Sequence, residues 1–299
     1  MEILINDKYD CYESVIATIA NSHNLKYWPV FLHDWKFNYN ANSLDLKSSN
    51  LLLYEDANYL ESIKAHIGIE VLHISKQEAY RAESKLLVLS TDAYNCEWTM
   101  AHNNYHIKHF FILSEQSDGL YTCIDPFFAV KRKDFILQEF DKSDTNYFSV
   151  DLVEPSLDEA SIYDFFRTKW RESYYSDNNM FSQMQQLASD FLNESNVLCE
   201  NQYDEDYVKN PFIRDLLMLG NYRDSLADSL LEFTKVNNSK LSKAAQLMKK
   251  SSVSWYVIRF LCIKHIQSSK FKIETINKIH NHIVNIIEFE EEAMKLLLE

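Results

Sequence analysis

The chain has 299 residues, 46% hydrophobic and 14% aromatic, and a formal net charge of −14; that much apolar surface folds around a core and excludes a disordered acidic polymer. The charge excludes nucleic acid as a partner, because phosphate binding needs a basic face and the best basic cluster is only Lys131-Arg132-Lys133. With three glycines, Gly68, Gly119 and Gly220, and no H-E-x-x-H, the chain lacks a dinucleotide loop, a P-loop, a G-x-S-x-G elbow and the zinc-protease helix, so no cofactor or metal is expected.

Residues 9–20 read YDCYESVIATIA, and their apolar run predicts a helix over 11–22 that opens on Cys11, with Asp10 as its N-cap. A short apolar strand is predicted over 50–54 and a helix over 58–67 stopped by Gly68. Strands follow over 69–74 and 85–90, where β-branched residues and leucines concentrate. HFFILS (109–114) and LYTCI (120–124) flank EQSDG, an Asp-Gly link that signals a hairpin. Beyond Pro155 the chain reads as helical, with apolar residues at helical spacing over 162–170, 181–192, 212–233 and 253–266. In the last run Ile276, Ile279, Ile283, Ile286 and Ile287 form one stripe on a helix that continues into the acidic EFEEEAMKLLLE tail. A boundary within 151–155 gives domains over 1–152 and 153–299, and with no repeat or low-complexity linker the two are expected to pack together.

Five cysteines, Cys11, Cys96, Cys123, Cys199 and Cys262, are an odd number at irregular spacing with no C-x-x-C, which points to a reducing cytoplasm. The start MEILINDKYD is too acidic and too short in its apolar part for a signal peptide, and no apolar run reaches membrane-spanning length. No membrane partner is expected, and the negative field favours a cationic small molecule such as an amine.

Three features of the first half suit one chemistry. A thiol at a helix start meets unpaired N–H groups and the positive end of the dipole, which favour its thiolate. His109 opens the strand HFFIL and suits a proton shuttle, and Asp125 closes the next strand in YTCIDP, where a hairpin brings the two together. Pro126 stops the ladder just beyond. Asp125 has a second use as a cap of the turn at Pro126. His102, His106 and His109 suggest metal ligands on a helix, but the run from Ile107 reads as a strand, where His106 and His109 point to opposite faces. His106 is the reserve base. Cys123 is expected to be a small core residue.

A D-C pair at a helix start, H-F-F-I-L on a strand and I-D-P on the next resemble the papain-like peptidase domains that cut leader peptides from bacteriocins. The stretch DAYNCEW…YHIKHFFIL…LYTCIDPFF (92–128) more closely resembles the butirosin biosynthesis protein H family. That resemblance implies an α+β fold, with a papain-like, cysteine-peptidase-like N-terminal domain built on an antiparallel sheet and an all-helical C-terminal cap or acceptor domain. It implies acyl transfer from a carrier-protein thioester to an amine, with Cys11 as nucleophile, His109 as base and Asp125 as the orienting acid. Leader peptidases place a glutamine shortly before the cysteine, whereas this chain has INDKYDC. Asn6 is the nearest amide, and the oxyanion hole is expected to use the Cys11 N–H and another donor. Asp92, Tyr94 and Trp98 are further candidates to line the cleft.

The expected function is therefore amide formation: Cys11 takes an acyl group from a pantetheine thioester on an acyl carrier protein, and a small amine removes it. A basic patch for the carrier is expected near the cleft, including Lys131 to Lys133. The same triad suits a cysteine peptidase or amide hydrolase, and a third alternative is a non-catalytic binding protein on this fold. Self-association as a homodimer is compatible with any of them.

Overall fold

In a computed structural model, residues 1–35, 37–41, 45–47, 57–81, 86–117, 120–137, 144–176, 179–193, 210–233, 239–268 and 273–299 are described. The strand expected over 50–54, the Asp118-Gly119 tip of the hairpin and Cys199 lie outside them. Two compact units form, one from Met1–Val30 with Leu51–Asp158, the other from Phe31–Asn50 with Glu159–Glu299.

The first unit is an α+β body around a six-stranded sheet. Helix α1 (Cys11–Ser22) begins at a capping box: the Asp10 carboxylate accepts from Glu13 N at 2.7 Å, and the Glu13 carboxylate accepts from Asp10 N at 2.9 Å. The helix is buried from Cys11 to Ala20, so its apolar residues do not trace a single face. Helix α2 (Ala57–Ile67) ends at Gly68, whose φ of +84° takes the left-handed turn into β3 (Ile69–Ile74). A short helix α3 (Lys76–Arg81) precedes β4 (Leu86–Asp92), and β5 (Lys108–Ser117) pairs antiparallel with β6 (Leu120–Asp125) in the expected hairpin. Strands β7 (Val130–Ile136) and β8 (Asn146–Leu152) complete the antiparallel order β3-β8-β4-β5-β6-β7. Neither of these two strands was predicted from the sequence.

Central strands β4 and β5 are buried on both faces, which is why LLVLS and HFFIL read as continuous apolar runs and not as alternation. On one face Tyr12 of α1 lies 5.1 Å, centroid to centroid, from Phe110 of β5. On the other, Leu87, Leu89, Phe111, Leu113, Tyr121 and Phe135 pack with Ala79 of α3, Cys96 and Cys123.

The second unit contains α4 (Glu159–Tyr174), α5 (Met180–Asn193), α6 (Pro211–Phe233), α7 (Ser239–Gln267) and α8 (Ile273–Leu298). Its Ile276, Ile279, Ile283, Ile286 and Ile287 stripe is buried as predicted. Within it a short ribbon of β1 (Asn38–Asn40) and β2 (Asp45–Lys47) is held from the amino-terminal part of the chain. Trp35 Nε1 donates to Glu290 Oε2 at 3.0 Å, Tyr39 Oη donates to Asp190 Oδ2 at 2.8 Å, and Phe37 stacks on Trp255. These anchors correct the expected division at 152: the segment 31–50 belongs with the helices, and the later boundary falls after Asp158. No described helix is long and apolar enough to cross a membrane.

Candidate active site

The β5–β6 hairpin sets the first contact of the site. His109 lies on the face of β5 shared with Phe111, and its Nε2 meets Asp125 Oδ2 at 2.6 Å. Asp125 is fully buried and both carboxylate oxygens are engaged: Trp98 Nε1 also donates to Oδ2, at 2.7 Å, and the Phe128 N–H donates to Oδ1 at 3.2 Å. The capping and orienting uses of Asp125 are therefore not alternatives, since one oxygen caps the turn while the other holds the imidazole. With Nε2 engaged, Nδ1 is the nitrogen left to exchange a proton with a nucleophile. The Phe127 and Phe128 rings lie 6.1 and 5.3 Å from the imidazole, and His109 is 3% exposed.

Cys11 reaches the same strand end from α1. The N–H of Phe110, the residue after His109, hydrogen-bonds its sulfur, as does the N–H of Tyr12, and the Asp125 charge acts on it. The expectation of a depressed thiol pKa is overturned. Burial pushes the Cys11 thiol well above its ordinary value, the Asp10 and Asp125 carboxylates push the same way, and the two N–H groups offset only part of this. Magnitudes explain the outcome: a helix end contributes about 0.3–1 kcal/mol, less than one pKa unit, whereas full burial moves a group by up to about 3–5 units. The side chain is 6% exposed, and the N-cap that starts the helix also sets a negative charge beside the sulfur.

The other cysteines are placed as packing residues. Burial pushes the Cys96 thiol up to about 12 and those of Cys123 and Cys262 higher, and none of the described cysteines is in a disulfide. Lys131 to Lys133 lie on β7, an edge strand, where charged side chains discourage pairing with another chain. Arg132 pairs with Glu97, so the cluster is not three unopposed cations.

The remaining candidates form a separate group. Asp92 caps the turn after β4, its Oδ1 accepting from Tyr94 N at 3.0 Å and Ile107 N at 3.2 Å, while Oδ2 meets His106 Nδ1 at 2.5 Å. Burial acts to raise the Asp92 carboxyl, but hydrogen bonds from His106, Tyr94 and Ile107 outweigh it and hold it below its usual value. Tyr94 stacks on the His106 ring at 4.6 Å. Asp92 and Tyr94 are thus partners of His106 and not donors at the Cys11 sulfur, and Asn6 Oδ1 is used by Lys8 N in a local turn at 3.0 Å. His102 meets only Asn103 among these groups. Among the described residues no group of three His, Cys, Asp or Glu side chains is placed to hold a metal ion.

Sequence reasoning missed the Trp98–Asp125 bond, the Phe127 and Phe128 wall and the Phe110 N–H. The spacing of W98 inside the long β4–β5 connection carried no sign of it, whereas the two phenylalanines directly after Asp125-Pro126 were a usable one. Compared with known proteins, the chain matches no family model and no curated protein sequence.

Proposed function

We propose that this protein is a cysteine-dependent acyltransferase on a papain-like N-terminal unit, making an amide from a carrier-bound pantetheine thioester and a small amine. The observation that carries the proposal is the buried His109–Asp125 pair at the strand end where the Cys11 sulfur takes the Phe110 N–H. The motif resemblance to the butirosin biosynthesis protein H family supports the same assignment.

Cys11 rests as a neutral thiol, so its proton passes to His109 Nδ1 as sulfur attacks the thioester carbonyl. The imidazolium that forms is stabilised by Asp125, which is itself pinned by Trp98 and Phe128. The oxyanion sits at the start of α1, where the Cys11 N–H is a donor. The tetrahedral adduct expels the carrier thiolate, which recovers the proton from His109. A thiolate leaves far more readily than an amide nitrogen, so a thioester donor suits a thiol that is not ionised beforehand. Burial of Cys11, His109 and Asp125 restricts water at the acyl-enzyme, which favours capture by an amine over hydrolysis.

The test is intact-mass analysis after mixing the protein with an acyl-pantetheine thioester. The expected result is a single acyl adduct on Cys11, absent from Cys11→Ala and discharged faster by a primary amine than by water. Release by water at the same rate would select the hydrolase instead. No adduct on Cys11 would overturn the enzymatic assignment and leave a binding protein.

A further inference from the structure

An amine acceptor poses a proton problem that one histidine does not solve. At neutral pH a primary alkylamine is an ammonium ion with no lone pair. Before attack it must lose one proton, and a second leaves its nitrogen as the tetrahedral adduct collapses. His109 accounts for the second, because it then protonates the departing Cys11 sulfur. The first needs another base.

A second Asp–His pair stands on the other flank of His109. In the β4–β5 ladder Thr91 is directly opposite His109, and Asp92 opposite Lys108. Thr91, Asp92, His106, Ile107, Lys108 and Asp144 line an open cavity of about 330 Å³, which therefore begins at the cross-strand neighbour of the imidazole. Inside it the His106 ring is fixed on both sides: Nδ1 is held by Asp92 and one face lies on Tyr94, nearly parallel at 17°. Asp92 is itself held by two backbone N–H groups. Nε2 is the nitrogen left to work, and the side chain is 76% exposed, so a proton taken there passes on to solvent. The charged groups facing the cavity are Asp92, Asp144 and Lys108, the last held below its usual pKa chiefly by burial despite Asp144. Two carboxylates against one lysine suit an ammonium ligand.

We infer that His106, oriented by Asp92, is the general base that deprotonates the acceptor's ammonium group in this cavity. The inference rests on the acyltransferase assignment above. The balance is complete: the ammonium gives one proton to His106 Nε2 and thence to water, and the free amine attacks the acyl-enzyme. His109 takes the second proton and returns it to Cys11 sulfur as the C–S bond breaks, leaving the amide and the resting thiol.

The experiment compares discharge of the Cys11 acyl adduct by n-propylamine, protonated at pH 7, and by hydroxylamine, largely neutral there, in the unsubstituted protein and in His106→Gln. Under this assignment the propylamine rate falls at least about tenfold relative to the hydroxylamine rate, and Asp92→Asn shifts the ratio the same way. An unchanged ratio, whether both rates hold or both fall together, overturns the role of His106 and leaves the acyl-enzyme intact as a finding. No adduct on Cys11 in the unsubstituted protein overturns both.

Discussion

Asp125 serves three donors with two oxygens, and that economy decides what each neighbour is worth. Asp125→Asn keeps the shape but offers the imidazole a group that no longer stabilises its charge; acyl-adduct formation is expected to slow by about 10²-fold or more, read from single-turnover mass traces. Trp98→Phe removes one hydrogen bond to a charged group, worth roughly 1.5 kcal/mol or a little more, so a loss of about tenfold is expected in the same assay. If Trp98 only packs, the rate will not move. Alkylation of Cys11 by iodoacetamide is expected to climb with pH through and beyond the ordinary thiol range, since burial holds the thiol neutral; a plateau near pH 7 would contradict this. His66, buried on α2 beside Ser62 at 3.0 Å, titrates near 4 in the fold because burial disfavours its charged form, but near 6.5 when unfolded. Between those values the unfolded chain binds more protons. Its contribution to stability is thus present above about pH 6.5 and is lost as pH falls toward 4. Urea unfolding of His66→Phe across that window should show a shallower fall.

At the scale of elements, the connections matter more than the strands they join. The β4–β5 connection is closed at its base by the Ala93 N–H donating to Ile107 O at 2.8 Å, and it carries Trp98 to Asp125 and His106 to Asp92. Gly68 makes the α2–β3 turn with a positive φ, and an added Cβ would lie 2.4 Å from Val153 O. A backbone atom cannot give way as a flexible side-chain end does. Gly68→Ala is therefore expected to cost more than about 1 kcal/mol in equilibrium unfolding, and a neutral result would mean that the turn rearranges. Helices α1, α2 and α4 to α8 and strand β3 were all legible because period and punctuation coincide there, as in the Gly68 stop. Strands β7 and β8 were not: VKRKDFI mixes charge with few apolar positions because it is an edge strand. NYFSVDL was passed over although the DKSDT run just before it is a turn signal.

On the whole-molecule scale the second unit is organised around a buried charge. Arg223 Nε donates to Glu290 Oε1 at 2.8 Å, Ser251 Oγ donates to the same oxygen at 2.5 Å, and Trp35 takes the other. Both charged residues are 0% exposed. Glu290→Gln removes the carboxylate charge that Arg223 pairs with in the buried interior and is expected to cost about 3 kcal/mol or more in urea unfolding; a change within about 1 kcal/mol would show that the pair is dispensable.

By itself the sequence determined helices α1, α2 and α4 to α8, the caps at Asp10 and Gly68, the hairpin, and the order of Cys11, His109 and Asp125 along the chain. Those are local properties, written in periodicity, turn chemistry and the few places where a polar residue interrupts an apolar run. Only tertiary structure decided that segment 31–50 leaves its neighbours to anchor on α8, that Trp98 completes the Asp125 site, and that the helix-start thiol is held neutral. Each of those depends on burial and on partners far away in the chain, such as Trp35 and Glu290, and no spacing rule reaches that far.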